Sequence, residues 1–551
     1  MSKEKVLIEI DGQTHEVKVG TLLSELTELQ EPSPYGPYVG ARVNGVLCEL
    51  TNKIYKPCTV HFIDGTDKEG HLMVIRSLCF LFIRAARELF EDARVTIEHS
   101  LGGGLYAEIH TKTQSGDINR LEARMREIVE EDSPFKRMTV SREEAIELFE
   151  RDGQRDKVRL LEYRSFNFFR LYENGGIQDY FYGLMVPSTG YIRGFKLHSY
   201  YPGVVICYPG MDGKQTPGSF HKEPKMAAAY REAKLWASIL NAENVCDLND
   251  MVATNRIGEF IRVNEALHEK KIIRAAEEIC KDDMGKRLIL IAGPSSSGKT
   301  TFAQRLSIHL RVLGKRPVSI SLDNYYKSRD LVPLDAFGKP DLEHIDAIDV
   351  KLLNDHIFGL FEGAEVELPL FDFLQGKRVP GEKLRITPDQ PLILEGIHGL
   401  NPSLTPMIPD EMKYRIYISA LTQLNLDDHN RIPSTDGRLL RRLVRDHQFR
   451  ASDAERTLSM WDSVRAGEEH FIFPYQEEAD MIFNSTLVYE IAVLKKYAVP
   501  IIETVSEQSV YADEAARLRK FLNYFISLED ETDVPTTSIL REFIGNSCFY
   551  K

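Results

Sequence analysis

No stretch of this chain is apolar for long enough to cross a bilayer. The most hydrophobic run, Leu78–Ile83, falls far short of the ~20 residues a spanning helix needs, and charged residues follow it. The segment Met1–Gly12 has no apolar core of the kind a secretory signal carries, so none is expected. Cysteine is sparse. Seven are scattered over 551 residues (Cys48, Cys58, Cys79, Cys207, Cys246, Cys280, Cys548), with no C-x-x-C pair. That argues against a disulfide framework or a zinc knuckle and predicts reduced, mostly buried thiols. Positive charge is in deficit. A net charge of −14 argues against broad binding to nucleic acid or an anionic membrane, while leaving room for a local basic patch. No internal repeat or low-complexity tract appears. A cytoplasmic protein is the expectation.

What is present is a globular composition, 43% hydrophobic and 28% charged. The length suggests roughly three or four domains. The most informative segment is Arg287–Arg311. An apolar strand, Leu288–Ala292, runs into Gly293-Pro-Ser-Ser-Ser-Gly298-Lys299-Thr300, and a helical pattern follows. This is a G-x-x-x-x-G-K-[ST] phosphate loop in its required context. Gly293 and Gly298 let consecutive N–H groups of Ser295, Ser296 and Ser297 turn toward phosphate oxygens, and the helix aims its positive end at the same anion through Thr300 and Thr301. Lys299 would reach the β/γ-phosphates of ATP or GTP, and the Thr300 hydroxyl would ligate Mg²⁺.

Beyond the loop, strands and helices alternate: strand Val318–Leu322, a helix near 350–361, strands Leu392–Glu395 and Arg415–Ser419, helix Gly437–Asp446, strand Met481–Phe483, helix Val488–Lys496 and strand Val499–Thr504. This pattern predicts a parallel sheet wound on both faces, with ligands at the carboxyl ends of its strands. Two acids fall at such ends. Asp323 follows the second strand and is placed to take a proton from an attacking hydroxyl. Glu395 ends the strand Leu392–Glu395 and faces the metal of a bound nucleotide. A basic cluster, Arg438, Arg441, Arg442, Arg445 and Arg450, follows on a predicted helix, suited to a transferring phosphoryl group. Salt bridges to Asp446, Asp453 and Glu455 are the competing use for part of it.

The N-terminal region reads differently. Lys5–Val19 is a hairpin about Asp11-Gly12, Thr21–Leu29 is helical, Val39–Leu47 turns at Asn44-Gly45, and Thr59–Phe62 closes a small sheet. This order resembles the β-grasp TGS domain of threonyl-tRNA synthetases. The amphipathic helix Leu78–Phe90, the strand Arg94–Glu98, the turn Gly102-Gly103-Gly104 and the run Val186-Pro-Ser-Thr-Gly190 extend the resemblance. They are similar to the second additional domain of those synthetases, which hydrolyses mischarged tRNA. That family carries two histidines and a cysteine–histidine pair at positions that fall here on Arg76, Phe80, Phe181 and Met185. The ligand chemistry is missing, so the resemblance implies a scaffold retained without editing. His71, His99, His110 and His198 could in principle regroup, although isolated histidines more commonly serve as surface or core residues. From Glu223 onward, Met226–Leu240 and Val252–Lys281 read as a helical connector, with Met284–Lys286 as its last hinge.

Residues 287 to about 505 resemble the uridine/cytidine kinases of the phosphoribulokinase–uridine kinase group. The matching elements are GPSSSGKTT, Asp323–Tyr326, LEHIDAID at 342–349, FDF at 371–373, LILEGI and RLLRRLVRD at 438–446. The resemblance implies a kinase acting on the ribose 5′-hydroxyl with ATP or GTP and Mg²⁺. Asp323 would be the base. Tyr326, Glu343, Phe371, Phe373, Arg442 and Arg445 would contact substrate, Arg450 would reach the phosphates, and Thr300 and Glu395 would hold the metal. Where pyrimidine kinases read the base with Tyr, His and Gln, this chain has Phe371, Gly376 and Met460, so pyrimidine selectivity is not implied.

The sequence therefore predicts an α/β multidomain chain. A TGS-like β-grasp module spans 1–65, a synthetase-editing-like α+β domain 66–222, a helical connector 223–286, and a P-loop nucleoside kinase-like domain 287–551. The expected partner is a nucleoside-like small molecule, with neither membrane nor broad nucleic-acid binding. RNA contact by the N-terminal domains and a homo-oligomer stay open. The alternatives are a nucleotide-switched RNA- or tRNA-binding regulator and a kinase for a non-nucleoside sugar acceptor.

Overall fold

A computed structural model describes residues 5–112, 114, 116–164, 166–281, 285–334, 338, 341–372, 375–422 and 424–550. Its chain divides into two compact units. The first is Met1–Glu223 with Asn425–Arg431; the second is Pro224–Leu424 with Ile432–Lys551.

The first unit opens with a five-stranded sheet in the order Gln13–Lys18, Lys5–Ile10, Cys58–Ile63, Gly40–Val43, Val46–Glu49. Lys5–Ile10 and Cys58–Ile63 run parallel; the other pairings are antiparallel. This is the strand order of a β-grasp module. Its helical segment is shorter than expected, an α-turn over Leu23–Leu26 followed by a 3₁₀ turn over Thr27–Leu29. Helix Lys68–Leu89 follows, capped by Asp67, whose carboxylate accepts the N–H groups of Glu69 and Gly70. It packs with helix Asp117–Glu131 and with the antiparallel sheet Lys196–Tyr200, Gly203–Cys207, Gly104–Ile109, Val95–Leu101.

Phe80, Phe181 and Met185 lie in this core. Phe80 is fully buried, with the Phe181 ring 5.0 Å away. The Arg76 guanidinium donates to the Leu184 carbonyl. Aromatic and thioether packing thus fills three of the four positions at which the resemblance implied lost ligand chemistry. His110 gathers with Glu98 and Glu108 at the neighbouring hairpin, and the Thr96 hydroxyl lies 2.7 Å from Glu98 and 3.0 Å from His110.

Asn425–Arg431 is flanked in sequence by the second unit yet folds as part of the first. Ion pairs and hydrogen bonds hold it. Arg94 forks onto both Asp428 carboxylate oxygens at 2.6 and 2.8 Å. Asn430 donates to the Tyr180 carbonyl at 2.9 Å and accepts the Tyr182 N–H at 2.8 Å. Deepest are Lys157, Asp179 and His429, with an Asp179–His429 contact of 2.6 Å and Lys157 paired to Asp179. Burial works against the Asp179 anion, but His429 and Lys157 hold its carboxyl well below the usual range. Removing one partner of such a buried set leaves the others uncompensated. Asp179→Asn is therefore expected to lower the unfolding free energy of this unit by about 3–5 kcal/mol, read as an earlier urea transition. An unshifted midpoint would contradict that role for the pair.

The second unit is built on an all-parallel sheet in the order Val318–Ser321, Leu392–Glu395, Leu288–Ala292, Lys413–Ser419, Met481–Asn484. Leu288–Ala292 is buried throughout, as a central parallel strand must be. The antiparallel pair Val366–Asp372 and Lys377–Leu384 forms a separate hairpin. The helices Pro224–Ile239, Val245–Ala253 and Ile257–Cys280, expected as a connector, belong to this unit. Glu269 on Ile257–Cys280 pairs with Arg305 and His309 of helix Lys299–Val312, both at 2.5 Å. One expectation is corrected. Val499–Thr504 is not a strand; helix Glu490–Ile502 takes in its first four residues, with Pro500 in the last turn, and a turn follows. The β-branched run reads as a strand by composition. Val493, Leu494, Ala498, Ile501 and Ile502 are nonetheless buried on a helix, and a short apolar run cannot distinguish the two.

Candidate active site

The phosphate loop leaves the central strand and turns into helix Lys299–Val312. Gly298 has φ +84°, and a Cβ there would lie 2.4 Å from Ile539 Cγ2, so both conformation and space demand glycine. The loop carbonyls are braced from helix Ser434–Phe449. Arg438 donates to the Ser295 carbonyl and Arg441 to the Ser296 carbonyl, both at 3.2 Å. Arg442 donates to Ser295 Oγ at 2.9 Å. Each of the first two is neutralised by a buried acid, Glu468 for Arg438 and Glu490 for Arg441. Part of the arginine cluster therefore builds the loop. Arg442, Arg445 and Arg450 share Asp446, and the Arg450 side chain is 59% exposed. Asp453 instead caps the next helix, and Glu455 accepts the Ser506 N–H.

The two strand-end acids converge on the loop. Ser321 pairs in register with Glu395, and Glu395 with Ile291, two residues before Gly293. Burial pushes the Glu395 carboxyl up to about 7, and repulsion from Asp323 adds to it against the pull of Lys299. Asp323 opens onto the cleft with protein mass around it. The partial desolvation by that surrounding protein raises its pKa, while Lys299, Arg450 and Arg445 oppose the shift. Burial lowers the Lys299 pKa, and Glu395, Asp323 and Glu542 oppose that. Lys299 Nζ donates to the carbonyls of Gly293 and Pro294 at 3.0 and 3.1 Å.

Glu343 lies nearby, pushed up to about 7 by burial and by Glu468, with Arg442 opposing. Gly467 makes room for it, since a Cβ there would meet Glu343 Cβ at 2.4 Å. Tyr326 and Phe371 are both buried, with ring centroids 5.7 Å apart. Phe371 thus forms the wall behind the cleft rather than an open stacking platform. Phe373 lies outside the described residues. Gly376 turns with φ +65° against the Arg329 side chain, whose Cδ would be 2.6 Å from an added Cβ.

The cradle fits an anion with its metal. Ser296 Oγ and Ser297 Oγ are buried without hydrogen-bond partners. Glu395, crowded by Asp323, and the Thr300 hydroxyl at the start of helix Lys299–Val312 are the kind of oxygen donors Mg²⁺ prefers. Two acids escaped the sequence reading. Glu468 accepts the Ser295 N–H at 3.1 Å. Glu542, in the C-terminal stretch that carried no legible motif, accepts the Thr301 N–H at 3.2 Å and its hydroxyl at 2.7 Å. No spacing rule points to either; tertiary packing places both.

An acid whose pKa rises on folding binds more protons folded than unfolded. Glu395 therefore makes stability fall as pH rises from about 4.5 to about 7, with no further loss above. Glu395→Gln should raise the unfolding free energy of this unit at pH 8 by on the order of 1–3 kcal/mol, with the gain vanishing near pH 5. A pH-independent difference between variant and parent in urea titrations would contradict the assignment.

Comparison with known proteins gives separate matches for two parts of the chain. Residues 288–492 match the Phosphoribulokinase / Uridine kinase family. The N-terminal region is similar to threonine–tRNA ligases. The Desulforamulus reducens enzyme is 28% identical over 192 residues, 34% of this chain and 30% of that protein. The Symbiobacterium thermophilum enzyme is 29% identical over a stretch of the same length and the same shares. The chain thus spans 30% of the length of these ligases. Among solved structures, a protein assigned as a fructose transport system kinase from Silicibacter sp. TM1040 has a TM-score of 0.29 and 18% identity, covering 38% of this chain and 98% of that one. One assigned as a uridine kinase from Bacillus stearothermophilus has a TM-score of 0.27 and 17% identity, covering 39% and 98%.

Proposed function

We propose that this chain is a kinase that transfers the terminal phosphoryl group of ATP or GTP to the 5′-hydroxyl of a nucleoside. The observation that carries the reading is the convergence of Asp323 and Glu395, from two adjacent strand ends, on the phosphate loop and Lys299. The loop N–H groups and the helix N-terminus hold the phosphates. Lys299 exchanges its loop carbonyls for β/γ-phosphate oxygens. Thr300 and Glu395 would hold the Mg²⁺, which would offset the negative charge of the phosphates.

Asp323 aligns the acceptor hydroxyl and takes its proton as the hydroxyl oxygen bonds to the γ-phosphorus and the bond to the β-bridging oxygen breaks. Arg445 and Arg450, tied to one shared carboxylate, supply the remaining positive charge. Glu343 and Arg442 hold the sugar hydroxyls. Base recognition is weak in this reading, because Phe371 is buried, Gly376 has no side chain and Met460 has no hydrogen-bonding group suited to a base edge. The packing of Arg329 at Gly376 favours a second reading, in which the acceptor is a sugar without a base.

Asp323→Asn should reduce kcat by about 100- to 10,000-fold and leave nucleotide binding near the parental value, measured by coupled ADP release and direct titration. Undiminished turnover would remove Asp323 from the base role. Across a panel of nucleosides, kcat/KM is expected to vary by less than about tenfold between bases, because no buried polar group is left unpaired by the wrong one. Strict selectivity for uridine would contradict the weak base readout.

A further inference from the structure

The C-terminal segment beyond residue 492 lies outside the matched family region, yet it packs directly on the phosphate loop. Ser538 Oγ bonds to the buried Glu265. Arg541 pairs with Glu531 at 2.8 Å and donates to the carbonyls of Glu531 and Val534. Phe543 is fully buried, with the Arg441 guanidinium 5.1 Å over its ring. These anchors set Ile539 against Gly298 and bring Glu542 to the first turn of helix Lys299–Val312. There the Glu542 carboxylate takes the Thr301 N–H and hydroxyl together, and the Tyr550 hydroxyl lies 3.2 Å from the same Thr301 Oγ1.

The first-turn N–H groups of that helix are what a nucleotide's phosphates need. One N–H cannot serve a carboxylate and a phosphate oxygen at full strength. A carboxylate held in the cradle also repels an incoming polyphosphate. The anchoring residues are buried, whereas the stretch 545–550 is mostly half-buried or exposed and Tyr550 is 41% exposed. The part of the tail that must yield is therefore its outer, less tightly held end together with the Glu542 side chain.

We propose that the C-terminal tail is a built-in competitor for the donor nucleotide, with Glu542 occupying the phosphate-binding N–H of Thr301 and Tyr550 backing it, so that nucleotide binding requires the tail to be displaced. The proposal rests on the kinase reading, and its test separates the two. Binding of a fluorescent non-hydrolysable ATP analogue with Mg²⁺ would be titrated in the full chain, in Glu542→Ala, in Glu542→Gln and in a chain ending at Gly545. Circular dichroism and urea midpoints would identify any variant that fails to fold; Glu542→Gln, which keeps shape and loses charge, is the mildest. Affinity is expected to rise about tenfold or more in the Glu542 variants, and by a smaller factor on removal of residues 546–551. Equal affinities in the parent and all folded variants would overturn the competitor while leaving the donor site in place. Weaker binding in the variants would overturn it too, making the tail part of the nucleotide's seat. Absence of binding in every chain would overturn the donor site itself and the competitor with it.

Discussion

One electrostatic arrangement organises the second unit: a half-buried ammonium, Lys299, at the positive end of a helix, within electrostatic reach of the carboxylates of Glu395, Asp323 and Glu542. Desolvation penalises the charges of Lys299, Asp323 and Glu395. The two strand-end acids consequently have raised pKa values, and Lys299 has a lowered one. Such a site is poised for a polyanion that arrives with a cation. The polyanion satisfies the lysine and the loop N–H groups, and the cation satisfies the two strand-end acids. The second ring of charges is closed. Arg438–Glu468 and Arg441–Glu490 are buried, paired and hydrogen-bonded to the loop carbonyls. Their role is to hold the cradle's shape while the inner ring stays unbalanced.

The phosphate loop, its flanking strand and helix, and both strand-end acids were legible in the sequence because each depends on local rules: glycine conformation, helix polarity and the period of a buried strand. The division of labour within the arginine cluster was not legible. Arg438 and Arg442 share a helix face, but only the fold shows that the first is locked to Glu468 while the second shares Asp446. Val499–Thr504 misled for a related reason, since a β-branched run of that length carries no period. Glu542 and the segment Asn425–Arg431 were invisible because their meaning lies entirely in contacts distant in sequence. Asp428 meets Arg94 across 334 residues, and Glu542 meets Thr301 across 241.

The N-terminal region is similar to threonine–tRNA ligases, and the positions Phe80, Phe181 and Met185 pack as core. Phe80, Phe181 and Met185 fill space that histidine and cysteine would have to share with solvent or metal. The buried polar set Lys157–Asp179–His429 then spends its charge on holding Asn425–Arg431 in place, an attachment role rather than an obvious catalytic one.

The most direct test of the central claim is a phosphorus NMR time course of the full chain with ATP, Mg²⁺ and a nucleoside. The account predicts a nucleoside 5′-monophosphate resonance growing in equal amount with ADP. Accumulation of inorganic phosphate alone, or an unchanged ATP spectrum with every alcohol acceptor supplied, would contradict it.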